Sequence, residues 1–108
     1  MDLAFKALSD PRRREIMRLV WDEELAATAI AEHFSDVSRP AISQHLGVLR
    51  KSGLVRERRA GTRRLYCADH RKVLSLRKFL DGFWNDSLET LRTLIEQPTT
   101  NKQGATNG

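Results

Sequence analysis

The chain has 108 residues, 40% of them hydrophobic and 31% charged, with a formal net charge of +5. That is enough for one domain with a modest core, at a size where pairing with a second copy would add stability. No apolar run approaches a membrane span, and MDLAFKALSD lacks a signal peptide's basic start and long apolar stretch. The single cysteine, Cys67, can form neither an internal disulfide nor a Cys-based zinc site alone, so a cytoplasmic, reducing setting is expected.

In chain order, the first predicted helix is Leu3 to Leu8, with Ala4, Phe5 and Leu8 on one face. Ser9-Asp10-Pro11 interrupts it; Asp10 suits an N-cap and Pro11 the first helical position. A second helix runs to about Trp21, with Ile16, Leu19 and Val20 inward and Arg12, Arg13, Arg14 and Arg18 solvated. A third, Leu25 to Phe34, carries Ile30 and Phe34 one turn apart, but Ala26 stands where a capping side chain is expected. Ser38 caps a fourth helix, Arg39 to Ser52, with Pro40 in its first turn and Gly53 as its stop.

The fourth helix buries Ile42, Leu46 and Leu49. Its outer face shows Arg39, Ser43, Gln44, Gly47 and Arg50: hydrogen-bonding groups and a glycine, where a merely solvated helix would carry Glu and Lys. Such a face suits entry into a groove whose edges it reads. Leu54 to Arg59 and Arg63 to Ala68 read as two strands around Ala60-Gly61-Thr62. Arg56, Arg58, Arg59, Arg63 and Arg64 crowd this hairpin, and their mutual repulsion argues against a role in stability. A long helix follows from Arg71 to Gln97, apolar along Leu76, Leu80, Phe83, Trp84, Leu88, Leu91 and Ile95. Pro98 ends it, leaving a polar tail over 98–108 after one domain spanning 1–97.

Charge is unevenly placed. Between Arg39 and Lys72 ten basic residues face two acidic ones, Glu57 and Asp69, while the rest has nine basic and twelve acidic. A face of one sign is prepared for a polyanion. A short helix, a tight turn, a polar-faced helix and a basic hairpin together predict a mainly α fold with a small β-hairpin wing, a winged helix-turn-helix. Its fourth helix would enter the major groove of double-stranded DNA while arginines reach phosphates or the minor groove.

The segments FKALSDPRRREIMRLV, ELAATAIAEHF and VSRPAISQHLGVLRKSGLVRERRAGTRRLYCAD resemble the ArsR/SmtB family of bacterial winged-helix transcriptional regulators. FLDGFWNDSLETL resembles the tail of a metal-independent branch. The resemblance spans roughly residues 4 to 97. It implies a homodimeric repressor of its own or a neighbouring operon, acting at the nucleoid by occupying a palindromic operator. Successive recognition helices would then lie about 34 Å apart. It also implies that the first and last helices form the dimer interface, for which Phe5, Leu8, Phe79, Leu80, Phe83, Trp84, Leu88, Leu91 and Ile95 are the candidates.

Carried over by position, Ser38, Arg39, Pro40, Ser43, Gln44 and His45 match the family's DNA-facing segment. Arg39 and Gln44 would reach bases and Ser38 and Ser43 phosphates; His45 fits a structural role as well as a DNA contact. In the wing, alternation lets only outward arginines reach DNA, and Arg59, Arg63 and Arg64 lie nearest the tip.

Metal-sensing members carry Cys-x-Cys on the third helix; here Ala26 and Thr28 occupy those places. Asp81, Asp86 and Glu89 without a later histidine make a poor zinc set. No metal or other cofactor is therefore expected, and no inducer can be named. The spread of His33, His45 and His70 offers no paired acid-base spacing, and no Gly-rich phosphate loop is present, so an enzyme is not expected. Single-stranded RNA binding would need more stacking aromatics than Tyr66 in the basic third. Two alternatives stay open: a redox-responsive DNA-binding sensor using Cys67, and a dimeric protein-interaction adaptor.

Overall fold

A computed structural model of the chain describes residues 2–96. Gln97, the helix stop at Pro98 and the tail over 98–108 lie outside the described residues. The chain divides into two compact units after Leu76. The first contains α1 (Asp2–Ala7), α2 (Pro11–Leu19), β1 (Leu25–Ala26), α3 (Ala27–His33), α4 (Arg39–Lys51), β2 (Val55–Ala60) and β3 (Arg63–Ala68). It also takes the first turns of α5 (His70–Glu96).

The core of the first unit gathers Ala4 and Ala7 of α1, Ile16 and Met17 of α2, Ile30 of α3 and Ile42, Leu46 and Leu49 of α4. Val20, Leu54, Val55, Tyr66, Ala68 and Leu76 complete it. Phe5 and Leu8, candidates for a dimer interface, are half-buried against this core. Removal of these side chains from water is the main favourable term holding the helices on the sheet.

The helix ends follow their capping residues. The Asp10 carboxylate accepts from the Arg12 and Arg13 backbone N–H groups at 2.8 and 3.4 Å. Burial raises the pKa of Asp10, but these two bonds outweigh it and hold the carboxyl below its usual value. Ser38 accepts from the Ala41 N–H at 3.2 Å. At the other end of α4, Gly53 takes φ +83°; its N–H donates to the Arg50 carbonyl and that of Leu54 to the Leu49 carbonyl, both at 3.0 Å. This is the Schellman arrangement, with Leu49 and Leu54 both buried.

Three expectations are corrected. Leu25 and Ala26 do not begin α3. They pair with Tyr66 and Leu65 as a third, antiparallel strand, so the sheet order is β1-β3-β2 and α3 starts at Ala27 without a side-chain cap. Extended pairing satisfies the backbone groups that an uncapped helical turn would leave open. Arg13 is not solvated like its neighbours: its guanidinium donates to the carbonyls of Ala7 (2.6 Å) and Lys6 (3.4 Å), closing the end of α1. Trp21 lies beyond α2, which stops at Leu19. Its ring stacks on His70 with centroids 4.2 Å apart, and His70 Nε2 donates to the Trp21 carbonyl at 2.7 Å.

The hairpin loop is Gly61-Thr62, with Gly61 at φ +65° and Ala60 paired with Arg63. A lone positive φ at the first loop position is the pattern of a type II′ turn, which matches strand twist. α5 begins one residue earlier than read from sequence, at His70, and the Asp69 carboxylate caps it by accepting from the Lys72 N–H at 3.2 Å.

Over residues 77–96, α5 exposes Phe79, Leu80, Phe83, Trp84, Leu88, Leu91 and Ile95, together with Leu94, which the sequence stripe omitted. Phe83 and Trp84 are 63% and 61% exposed. Among the described residues, no helix is long and apolar enough to cross a membrane.

Candidate nucleic-acid interface

α4 presents Ser38, Arg39, Pro40, Ser43 and Gln44 to solvent because its inward positions are taken by Ile42, Leu46 and Leu49. At 100° per residue, Arg39, Ser43 and Arg50 fall within about 40° of each other around the axis. This stripe faces the wing. A groove of about 300 Å³ is lined by Thr28 and Ala31 of α3, Arg39, Ile42 and Ser43 of α4, and Arg64 of β3. An adjoining depression of about 380 Å³ is lined by Thr28, Thr62, Arg63 and Arg64. Recognition-helix and wing residues, far apart in sequence, thus meet at one surface. Thr28 lines both depressions and was missed in the sequence, because a lone threonine near a helix start carries no periodic signal.

His45 belongs to the scaffold in this structure. It is half-buried, and its Nδ1 accepts from the Arg13 guanidinium at 3.3 Å, because a guanidinium can only donate. Gly47 lies on the outer side of α4, and a Cβ added there meets no atom within 4 Å.

The wing arginines do not act alike. Register places Arg59 opposite Arg64, and Arg58 opposite Leu65. Paired residues share a face and successive ones alternate, so Arg59 and Arg64 lie on the side of Glu57 and Tyr66. Arg63 lies on the other, with Arg58 and Arg56. The three arginines favoured at the tip therefore split between faces, although Arg63 and Arg64 both line the depression beside Thr62.

Two of the wing arginines are engaged by carboxylates within the fold. Arg58 forms a two-pronged pair with Glu24, both bonds 2.8 Å, tying β2 to the residue before β1. That bond draws the Glu24 carboxyl below its usual value and raises Arg58. Arg64 lies 3.4 Å from Glu57, whose other oxygen is 3.8 Å from Arg50. The Tyr66 hydroxyl donates to Glu57 at 2.6 Å, the main cause of that carboxyl's lowered pKa. Burial, then Glu57, pushes the Tyr66 phenol up. Among the described residues, Arg39, Arg56, Arg59 and Arg63 have no carboxylate within ion-pair distance.

Cys67 is half-buried and pairs in register with Arg56. Among the described residues, no three His, Cys, Asp or Glu side chains gather where one metal ion could be held.

The chain matches the helix-turn-helix domain family over residues 8–58. It is 43% identical over 95 residues to the HTH-type transcriptional regulator Rv2034 of Mycobacterium tuberculosis, covering 88% of each chain. It is 36% identical to the arsenical resistance operon repressor of Staphylococcus xylosus, over 82% of this chain and 76% of that one. Among solved structures, an ArsR-like transcriptional regulator from Rhodococcus sp. RHA1 superposes with a TM-score of 0.73 at 28% identity, covering 90% of this chain and 93% of the other. The homodimeric winged helix-turn-helix DNA-binding domain Mb0332 of Mycobacterium bovis does so with a TM-score of 0.62 at 30% identity, covering 79% and 78%.

Proposed function

The chain belongs to the ArsR/SmtB family of winged helix-turn-helix transcriptional regulators; it is a DNA-binding regulator and not an enzyme. From that premise we propose that it is a homodimeric repressor that occupies a palindromic operator, with the control region of its own gene as the first candidate. The observation that carries this reading is the convergence of Arg39, Ser43 and Arg64 on one groove, with Arg39 free of any carboxylate partner among the described residues. A cation on a helix face that also bears Ser43 and Gln44 can bond to base edges, and wing arginines can take phosphates.

The proposed roles are divided. Arg39 and Gln44 contact bases, Ser38 and Ser43 contact phosphate, and Pro40 shapes the helix entry. Arg59, Arg63 and Arg64 provide sequence-independent attraction, and His45 acts by positioning α4 through Arg13. Homodimerisation is supported by the exposed apolar face of α5, from Phe79 to Ile95, and by the M. bovis homodimer. Repression is supported by the S. xylosus relative. Placement in the metal-independent branch is supported by Ala26 and Thr28, whose side chains offer no thiolate.

Footprinting on the chain's own upstream DNA, with sedimentation of the free protein, tests the proposal. A protected inverted repeat and a dimer are expected. A monomer with no preference for any inverted repeat over bulk genomic DNA would end the proposal. Gln44→Ala should lower discrimination between operator and random duplex, whereas Arg63→Ala should weaken both alike.

A further inference from the structure

We propose that Glu57 is a built-in competitor for nucleic-acid phosphate: it holds Arg64 and Arg50 in the free protein and so limits how tightly the surface binds duplex of any sequence. This rests on the DNA-binding reading above.

Glu57 is the one carboxylate in the hairpin strands, and it lies on the strand face shared by Arg59 and Arg64. Its side chain is 23% exposed. The strong bond is to the Tyr66 hydroxyl at 2.6 Å; the arginine contacts are looser, Arg64 Nη1 at 3.4 Å and Arg50 Nε at 3.8 Å. Tyr66 is buried, so the carboxylate is anchored while Arg64, 56% exposed, is free to change partner. Both arginines belong to the surface built from α4 and the wing, and Arg64 also lines the groove with Arg39. A phosphate that takes Arg64 must therefore displace an existing charge-assisted contact. Afterwards it sits near a negative charge that Tyr66 keeps in place. Opposed like charges suppress binding whatever the base sequence.

The test is the salt dependence of binding to a mixed-sequence duplex of about three helical turns, which requires no known operator. Glu57→Gln removes the charge but keeps an oxygen for Tyr66. It should bind several-fold tighter at low salt, with a log-log salt slope steeper by about 0.9, the value for one more neutralised phosphate. Glu23→Gln, which removes an exposed charge elsewhere, should leave the slope at the wild-type value. If Glu57→Gln fails to fold, Glu57→Asp withdraws the charge from Arg64 and should steepen the slope by a smaller amount. An unchanged slope in a folded position-57 variant overturns the inference alone, as does equal steepening in Glu23→Gln. Failure of the wild-type chain to bind the duplex at any salt overturns the DNA-binding reading as well.

Discussion

Two glycines in one stretch of chain illustrate opposite demands on a residue without a side chain. Gly53 sits at φ +83°, where an L-residue's Cβ crowds its own backbone. Gly53→Ala should cost about 1–2 kcal/mol in denaturant unfolding. Gly47 has ordinary helical geometry and open space where a Cβ would go. Gly47→Ala should therefore stabilise the fold by about 0.5–1 kcal/mol, since glycine is a poor helix former. The same substitution should weaken operator binding if the proposal holds, because the added methyl would stand on the face proposed to enter the groove. A gain in both properties would show that Gly47 does not approach DNA.

Elements whose signals are local could be read from the sequence, and those that depend on distant partners could not. Asp10, Ser38 and Gly53 mark the limits of α2 and α4 because capping uses groups within a few residues. β1 left no trace: two residues show no period, and their partners Tyr66 and Leu65 lie about forty positions away. Arg13 looked like its solvated neighbours because its acceptors, at the end of α1 and on α4, become visible only after folding. The candidate surface was legible as a set, since the structure does bring Arg39 and Ser43 to one groove with the wing's Arg64. The split of Arg59 and Arg64 from Arg63 depends on a register that the two-residue loop sets. For β1, Glu24→Gln should raise amide hydrogen exchange at Leu25 and Ala26 while leaving the global melting midpoint nearly unchanged, because the Glu24–Arg58 pair is exposed.

For the whole molecule, the hydrogen-bonded carboxylates and Tyr66 set the pH range of stability. Asp10 and Glu57 are held below their ordinary values of 3.8 and 4.5. The unfolded chain therefore takes up protons first as pH falls, and the stability these groups supply is lost as pH drops below that range. Tyr66 is raised above 10.0, so its contribution is complete below that pH and fades as pH climbs toward the folded-state value. Thermal melts should show a plateau between the two limits, and Tyr66→Phe should remove the alkaline fall. An acid limb lying wholly above pH 5 would show that these carboxylates do not set it.

The Trp21–His70 stack makes the fold report on itself. Tryptophan emission depends on what the indole touches, and the other tryptophan, Trp84, lies further along α5. In a Trp84→Phe background, any opening where β3 hands over to α5 would part the two rings and change the remaining emission, giving an optical signal of that joint without a dye or label.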